Sequence, residues 1–208
     1  MAQTDVQLML EVKAGDEQSF ALLLHRYRSP VINFLYRMVR NRAQAEDLAQ
    51  EVFLRVYRAR GGYEPSAKFS TWLFRIATNL ALNSVRDTRQ QKKEISIEQP
   101  AGETEEGEER PLDVEERSAN IEEHLVEEVR SRMIREAVER LPEKQRAAVL
   151  LHKYEELSYG EIAKSLRCSE SALKSLLFRA YETLRVELAP LVGRAKAEEK
   201  MPGEKMPG

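Results

Sequence analysis

The chain has 208 residues, 42% of them hydrophobic and 33% charged, with a single cysteine. That length can close one ordinary core or two small ones, and the composition is that of a soluble, helix-leaning chain rather than a fibre or a wholly disordered polymer. One cysteine excludes an internal disulfide framework and a multi-cysteine zinc site. The longest apolar runs, Phe20–Leu24 and Ala147–Leu151, are too short for a spanning helix or a signal peptide, so the expectation is no membrane insertion and a cytoplasmic location.

The net charge of −2 conceals a strong asymmetry. Residues 16–90 carry 12 basic against 7 acidic side chains, residues 94–128 carry 2 against 14, and residues 129–188 carry 12 against 9. Two mildly basic blocks therefore flank one acidic block, a distribution that an overall pI hides.

Both basic blocks read as helical, and no stretch shows a period of two bounded by hairpin turns. Asp16 caps a helix running toward Arg28, and Pro30 either kinks or restarts it. Phe20, Leu23, Leu24 and Tyr27 fall on one face. Asn41 caps the next helix, over Ala43 to Arg60, which Gly61-Gly62 should stop. Ala45, Leu48, Ala49, Val52, Phe53, Val56 and Tyr57 form its apolar stripe. The opposite face carries Asp47, Gln50, Glu51, Leu54 and Arg58. A leucine beside two carboxylates suits docking to a basic helical partner, although single exposed leucines are common and the pattern by itself favours a solvated face with one stray leucine.

After a loop through Pro65, Ser70 is expected to cap a helix reaching about Arg89. Phe69, Trp72, Leu73, Ile76, Ala77, Leu80 and Ala81 are its buried side, which favours a core role for Trp72 over a stacking platform. Arg75, Thr78, Asn79, Leu82, Asn83 and Arg86 are its outer side. Two asparagines one turn apart are poor helix formers; either they read base edges between phosphate-binding arginines or they are tolerated on a solvent face.

Residues 91–120 combine dense acid, Pro100, Gly102, Gly107 and Pro111 with few apolar side chains, which predicts a flexible linker. Helices follow over Ile121 to Arg140 and Glu143 to Glu155. Ser158 and Glu161 form a capping box for a short helix ending near Arg167. Ser169 caps a last helix to about Leu188. Its inner stripe is Leu173, Leu176, Leu177, Ala180 and Leu184; Ser171, Lys174, Ser175, Phe178, Arg179 and Arg185 point outward. The short helix, the turn at Arg167–Ser169 and the longer helix make a helix-turn-helix, although many helix pairs mimic that unit. The tail from 191 to 208 ends in a tandem of Glu-Lys-Met-Pro-Gly and is expected to be disordered.

At this level of detail the motifs resemble a family. The run from Ala45 to Val56 looks like region 2.2 of the extracytoplasmic-function sigma factors of bacterial RNA polymerase, members of the sigma-70 family. Phe69 to Asn79 resembles their regions 2.3 and 2.4, Leu141–Arg146 and Ser158–Ala163 their region 4.1, and Ser169 to Arg185 sits where region 4.2 would be. The resemblance implies an all-α fold of two small domains: region 2 over 1–90 and region 4 over 121–190, joined by the acidic linker. It implies a promoter-specificity subunit, not an enzyme, that binds core RNA polymerase and promoter DNA. Asp47, Gln50, Glu51 and Leu54 would meet the clamp helices of the largest subunit. Arg75, Asn79, Asn83 and Arg86, beside the loop from Gly61 to Lys68, would take the melted minus-ten strand. Ser169, Ser171, Lys174, Ser175, Phe178 and Arg179 would face the minus-thirty-five element. The flap of the polymerase and an anti-sigma factor are further implied partners.

No metal, cofactor or catalytic constellation is expected: His25, His124 and His152 are dispersed, Cys168 stands alone, and there is no glycine-rich phosphate loop. Two other classes fit parts of the pattern. One is a stand-alone transcription regulator that binds duplex DNA without polymerase; the other is an adaptor that uses only the acidic helix.

Overall fold

Polar side chains at the helix starts set much of the architecture. The computed structural model describes residues 3–98, 121–155 and 157–191, without side chains at 92–98 and 121–126. Most of the expected acidic linker, from 99 to 120, and the tail beyond 191 lie outside the described residues. Eight α-helices occur among the described residues: α1 Asp5–Lys13, α2 Glu17–Val39, α3 Arg42–Arg58, α4 Phe69–Glu98, α5 Ile121–Arg140, α6 Glu143–Lys153, α7 Tyr159–Leu166 and α8 Glu170–Glu187. Asp16, Asn41, Ser158 and Ser169 cap α2, α3, α7 and α8 through their side chains, as their sequence positions predict.

Several boundaries differ from expectation for identifiable reasons. Helix α1 is additional; its start is a capping box in which Thr4 and Gln7 bond reciprocally. Pro30 sits inside an unbroken α2. Helix α4 starts at Phe69, so Ser70 lies in its first turn and not at its cap. It also runs to Glu98, well past Arg89, because Gln90, Gln91, Lys92, Lys93 and Glu94 are good helix formers and no Pro or Gly intervenes before Pro100. The first nominal linker residues are therefore helical.

The core is continuous across both halves. Leu8, Met9 and Val12 of α1, Phe34 and Leu35 of α2, Val52 and Val56 of α3, and Leu73 and Phe74 of α4 are all buried. Phe34 meets Phe74 edge-on at 5.6 Å. The second half buries Ala147–Leu151 of α6, Ile162 and Leu166 of α7, and Leu173, Leu177 and Ala180 of α8. The expected apolar stripes of α3, α4 and α8 all face inward, with Leu48, Tyr57, Trp72, Ile76 and Leu176 half-buried. Thr78 departs from its expected outward position and is fully buried, because α4 is packed by α1, α2, α3, α6 and α7 and has little free circumference.

The two halves are joined by packing of α7 on α4 and of α6 on α2 and α4. Polar contacts tie that junction. The Glu161 carboxylate accepts from the Thr71 hydroxyl at 2.9 Å and lies 3.6 Å from the Lys68 ammonium. It also completes its own capping box, accepting from the Ser158 amide at 2.8 Å and hydroxyl at 2.7 Å. The half-buried Arg146 guanidinium crosses the junction to the Met38 carbonyl at 2.9 Å. Arg40 pairs with Glu139, and the Arg37 guanidinium lies over the Tyr154 ring at 3.9 Å.

Burial opposes charge on Glu161, but the Ser158 and Thr71 hydrogen bonds and the Lys68 charge outweigh it and bring its pKa down to about 2. A carboxylate depressed in the folded state stabilises it above the unfolded pKa of 4.5, and that contribution fades as pH falls toward about 2. The stability difference between the native chain and Glu161→Gln, measured by urea unfolding, is therefore predicted to be full above pH 4.5 and to shrink through that window. A pH-independent difference would contradict this account of Glu161.

Candidate docking and nucleic-acid surfaces

Helix α3 buries Ala45, Ala49, Val52 and Val56, and the helical period then forces Asp47, Gln50, Glu51 and Leu54 onto its other side. The structure brings these four together as one ridge. Asp47, Gln50 and Leu54 are exposed, Leu54 at 48%. Glu51 accepts from the Arg55 guanidinium at 2.6 Å, and that bond holds its carboxyl below the usual range. Gln50 and Leu54 also border an apolar groove of about 730 Å³ between α2 and α3, walled by Phe20, Leu24, Phe53 and Tyr57. A carboxylate ridge beside an apolar trough suits a partner helix with a basic edge and an apolar face.

The outer side of α4 divides. Arg75, Asn79 and Asn83 line one cleft of about 600 Å³. Arg86 stands outside it, exposed, 3.7 Å from Asp87. Arg55 of α3 and Lys164 and Arg167 at the C-terminal end of α7 complete the cleft, and none of these three was legible as a neighbour of the asparagines. Beside the N-terminal turn of α4 the loop after α3 encloses a second chamber of about 370 Å³, with Tyr63 and Trp72 in its wall. Trp72 is half-buried, 5.2 Å from the Tyr63 ring and 6.0 Å from Phe69. It is thus both a core side chain and a chamber wall.

On α8 the expected face is exposed in full: Ser169, Ser171, Lys174, Ser175, Phe178 and Arg179. Ser169 spends its hydroxyl oxygen on the helix start, accepting from the Ala172 amide at 3.1 Å. The Ser175 hydroxyl donates back to the Ser171 carbonyl at 3.2 Å, and Arg179 Nε to the Ser175 carbonyl at 3.3 Å. Lys174 and Phe178 project freely. Phe178 is 68% exposed, whereas the other five phenylalanines are buried or half-buried. Arg167 closes α7 in the left-handed region at φ 52°, a turn geometry that more often employs glycine.

Among the described residues no three His, Cys, Asp or Glu side chains converge as metal ligands. His152 Nδ1 lies 3.0 Å from the Tyr181 hydroxyl and its ring packs on Tyr159, a structural arrangement. Cys168 is half-buried in the turn before α8. No helix among the described residues is long and apolar enough to cross a membrane.

Residues 23–91 match the family model for Sigma-70 region 2, and residues 131–184 match that for Sigma-70, region 4. The RNA polymerase sigma-H factor of Pseudomonas aeruginosa is 31% identical over 193 residues, covering 93% of this chain and 98% of that protein. The ECF RNA polymerase sigma factor SigW of Bacillus subtilis is 33% identical over 181 residues, covering 87% and 95%. Among solved structures, the sigma factor RpoE in complex with the anti-sigma factor NepR from Bartonella quintana superposes with a TM-score of 0.62 at 20% identity, covering 83% of this chain and 98% of that one, a likeness of fold.

The exposed α8 face carries little of the fold's stability. Phe178→Ala is predicted to leave thermal unfolding nearly unchanged, while Leu177→Ala, one position away and 2% exposed, should cost about 2–5 kcal/mol through the cavity it leaves. A comparable loss from Phe178→Ala, read in the same calorimeter, would mean that the ring packs in a way its exposure denies.

Proposed function

The chain belongs to the extracytoplasmic-function sigma factors of the sigma-70 family, and from that premise we propose which of its surfaces does what in promoter-specific transcription initiation. Core RNA polymerase supplies the chemistry; this chain supplies recognition. The α3 ridge of Asp47, Gln50, Glu51 and Leu54 docks on the clamp helices of the polymerase largest subunit, with the apolar groove beside Leu54 extending the contact. Carboxylates at the rim steer and orient the encounter, and the desolvated leucine holds it.

Promoter reading falls to the other two faces. Arg75, Asn79 and Asn83, with Arg86 further along α4, take the melted minus-ten strand, and the Trp72 chamber receives an unstacked base. Unpairing costs a few kcal/mol, and a base that fits its pocket offsets that cost best, so melting and reading are one event. Because α7 faces the same cleft, the second domain has to move off α4 before a strand can lie along it. Helix α8 enters the major groove of the minus-thirty-five element. Ser169 and Ser171 lie at its phosphate-facing start, where backbone amides favour anions, and Lys174, Ser175, Phe178 and Arg179 lie along the groove. An anti-sigma factor that covers the α3 ridge would hold the factor inactive, and the polymerase flap is the natural seat of the second domain.

The observation that carries this reading is the segregation of surfaces. One chain presents a carboxylate-and-leucine ridge on α3 and, elsewhere, an exposed phenylalanine among Ser, Lys and Arg on α8. A stand-alone regulator has no use for the first, and an adaptor none for the second.

Run-off transcription with purified core enzyme on a promoter library is predicted to yield a discrete set of start sites only when this chain is added. Asp47→Ala and Glu51→Ala should each weaken core binding roughly 5- to 30-fold, the range expected for charge pairs partly desolvated at an interface. Phe178→Ala should spare core binding and lower promoter-specific output. Unchanged core affinity in both α3 variants would remove the docking assignment.

A further inference from the structure

The two chambers beside α4 are adjacent. The 370 Å³ chamber and the 600 Å³ cleft share Arg75 and Lys164 in their walls, and each volume lies within the roughly 300–1,000 Å³ of small-molecule sites. Their chemistry differs in a complementary way. The first has the half-buried Trp72 in its wall, with the Tyr63 ring buried against it, and Glu64 and Thr71 as polar neighbours. The second gathers Arg55, Arg75, Lys164 and Arg167 around Asn79 and Asn83 and has no carboxylate in its wall.

The cations are poorly compensated. Arg55 shares its charge with Glu51 at 2.6 Å. Arg75, Lys164 and Arg167 have no ion-pair partner among the described residues. They come from different halves of the molecule, so docking α7 on α4 brings like charges toward one another. Water and salt screen much of that repulsion at these exposed positions, and a polyanion bound between them relieves the rest. A di- or triphosphate offers such a cluster more charge and more acceptor oxygens than a single phosphate does.

We propose that this pair of adjacent chambers binds a nucleoside polyphosphate, its base against Trp72 and its phosphates among Arg75, Lys164 and Arg167. Asn79 and Asn83 offer amide donors and acceptors to the sugar and the phosphate oxygens. Bound there, the ligand bridges the two domains and holds α7 over the face assigned above to the minus-ten strand. The regulatory consequence rests on that assignment; the binding site does not. Lys164 and Arg167 have no part in the promoter contacts proposed above, which makes them the appropriate positions to test.

Trp72 is the only tryptophan of the chain, so its emission reports on the base chamber directly. The full-length protein is titrated with GTP, with ATP, with inorganic tripolyphosphate and with guanosine, excited at the red edge of tryptophan absorption. At least one triphosphate is expected to change Trp72 emission saturably; tripolyphosphate should displace it without producing the change, and guanosine should bind far more weakly. K164E/R167E, two substitutions at exposed positions, should weaken nucleotide binding about tenfold or more without lowering the thermal unfolding midpoint, since they remove like-charge repulsion in the cleft. No saturable response to either triphosphate, or an equal response in the double variant, overturns the site. Equal affinity for tripolyphosphate and the nucleotides overturns the role of the aromatic chamber. Core-polymerase capture, run in parallel, separates the two readings. A chain that captures core but shows no nucleotide response refutes this site alone; one that responds but never captures core leaves the site standing and removes the functional reading.

Discussion

Helix α4 has to satisfy two packing partners at once, and the rest of the molecule is arranged around that constraint. Its inner side, with Leu73, Phe74, Ala77 and Ala81, closes the core of the first domain. Its N-terminal turn and outer side meet α7 of the second, where the Glu161 carboxylate joins Ser158, Thr71 and Lys68 at one point. A helix buried along one stripe and only partly covered along another can exchange the second partner without loosening the first. The inner stripe is hydrophobic and stabilises by area removed from water. The outer contact lies in the core that is continuous across both halves and adds hydrogen bonds and charges, whose own net contribution is modest because water replaces them well. The junction therefore combines apolar packing with exchangeable polar contacts, and it lies over the surface proposed above to take the minus-ten strand.

The division of charge follows the same logic. Each face to which a role is proposed above sits on a helix whose opposite side is deeply buried: α3 on Val52 and Val56, α8 on Leu173 and Leu177. The core fixes each helix in rotation, so the exposed side chains are aimed with little freedom, which favours recognition by rigid surfaces. The acidic ridge of α3 and the cation-bearing cleft of α4 and α7 belong to the same small body but attract opposite partners. Such a body can hold a protein and a polyanion without the two competing for one site.

The fold was legible in the sequence wherever burial leaves a period. The stripes of α3, α4 and α8 were readable because every third or fourth residue is removed from water, and Leu54 and Phe178 stood out because they interrupt a polar side. Helix α1 was missed although Thr4 and Gln7 carry its start signal, since a nine-residue helix offers only two turns of pattern. The domain junction left no trace of that kind. Thr71 and Lys68 meet Glu161, Arg146 donates to the backbone carbonyls of Met38, Glu139 and Leu141, and the spacing of these polar residues is indistinguishable from that of a solvated surface. The same reason hid Lys164 and Arg167 from the cleft they complete. Thr78 was misplaced because the outer side of α4 is defined by five neighbouring helices and not by its own periodicity.

The central claim is that this chain grips the transcription machine through α3 and leaves α8 free for DNA. Hydrogen–deuterium exchange on the full-length protein, alone, with core RNA polymerase and then with promoter DNA added, tests it most directly. The account predicts slowed exchange across the segment containing Asp47 to Leu54 as soon as core enzyme is present, and slowed exchange from Ser169 to Arg179 only once promoter DNA joins the complex. Protection that leaves α3 unchanged with core enzyme bound, or that reaches the outer face of α8 without DNA, would contradict it.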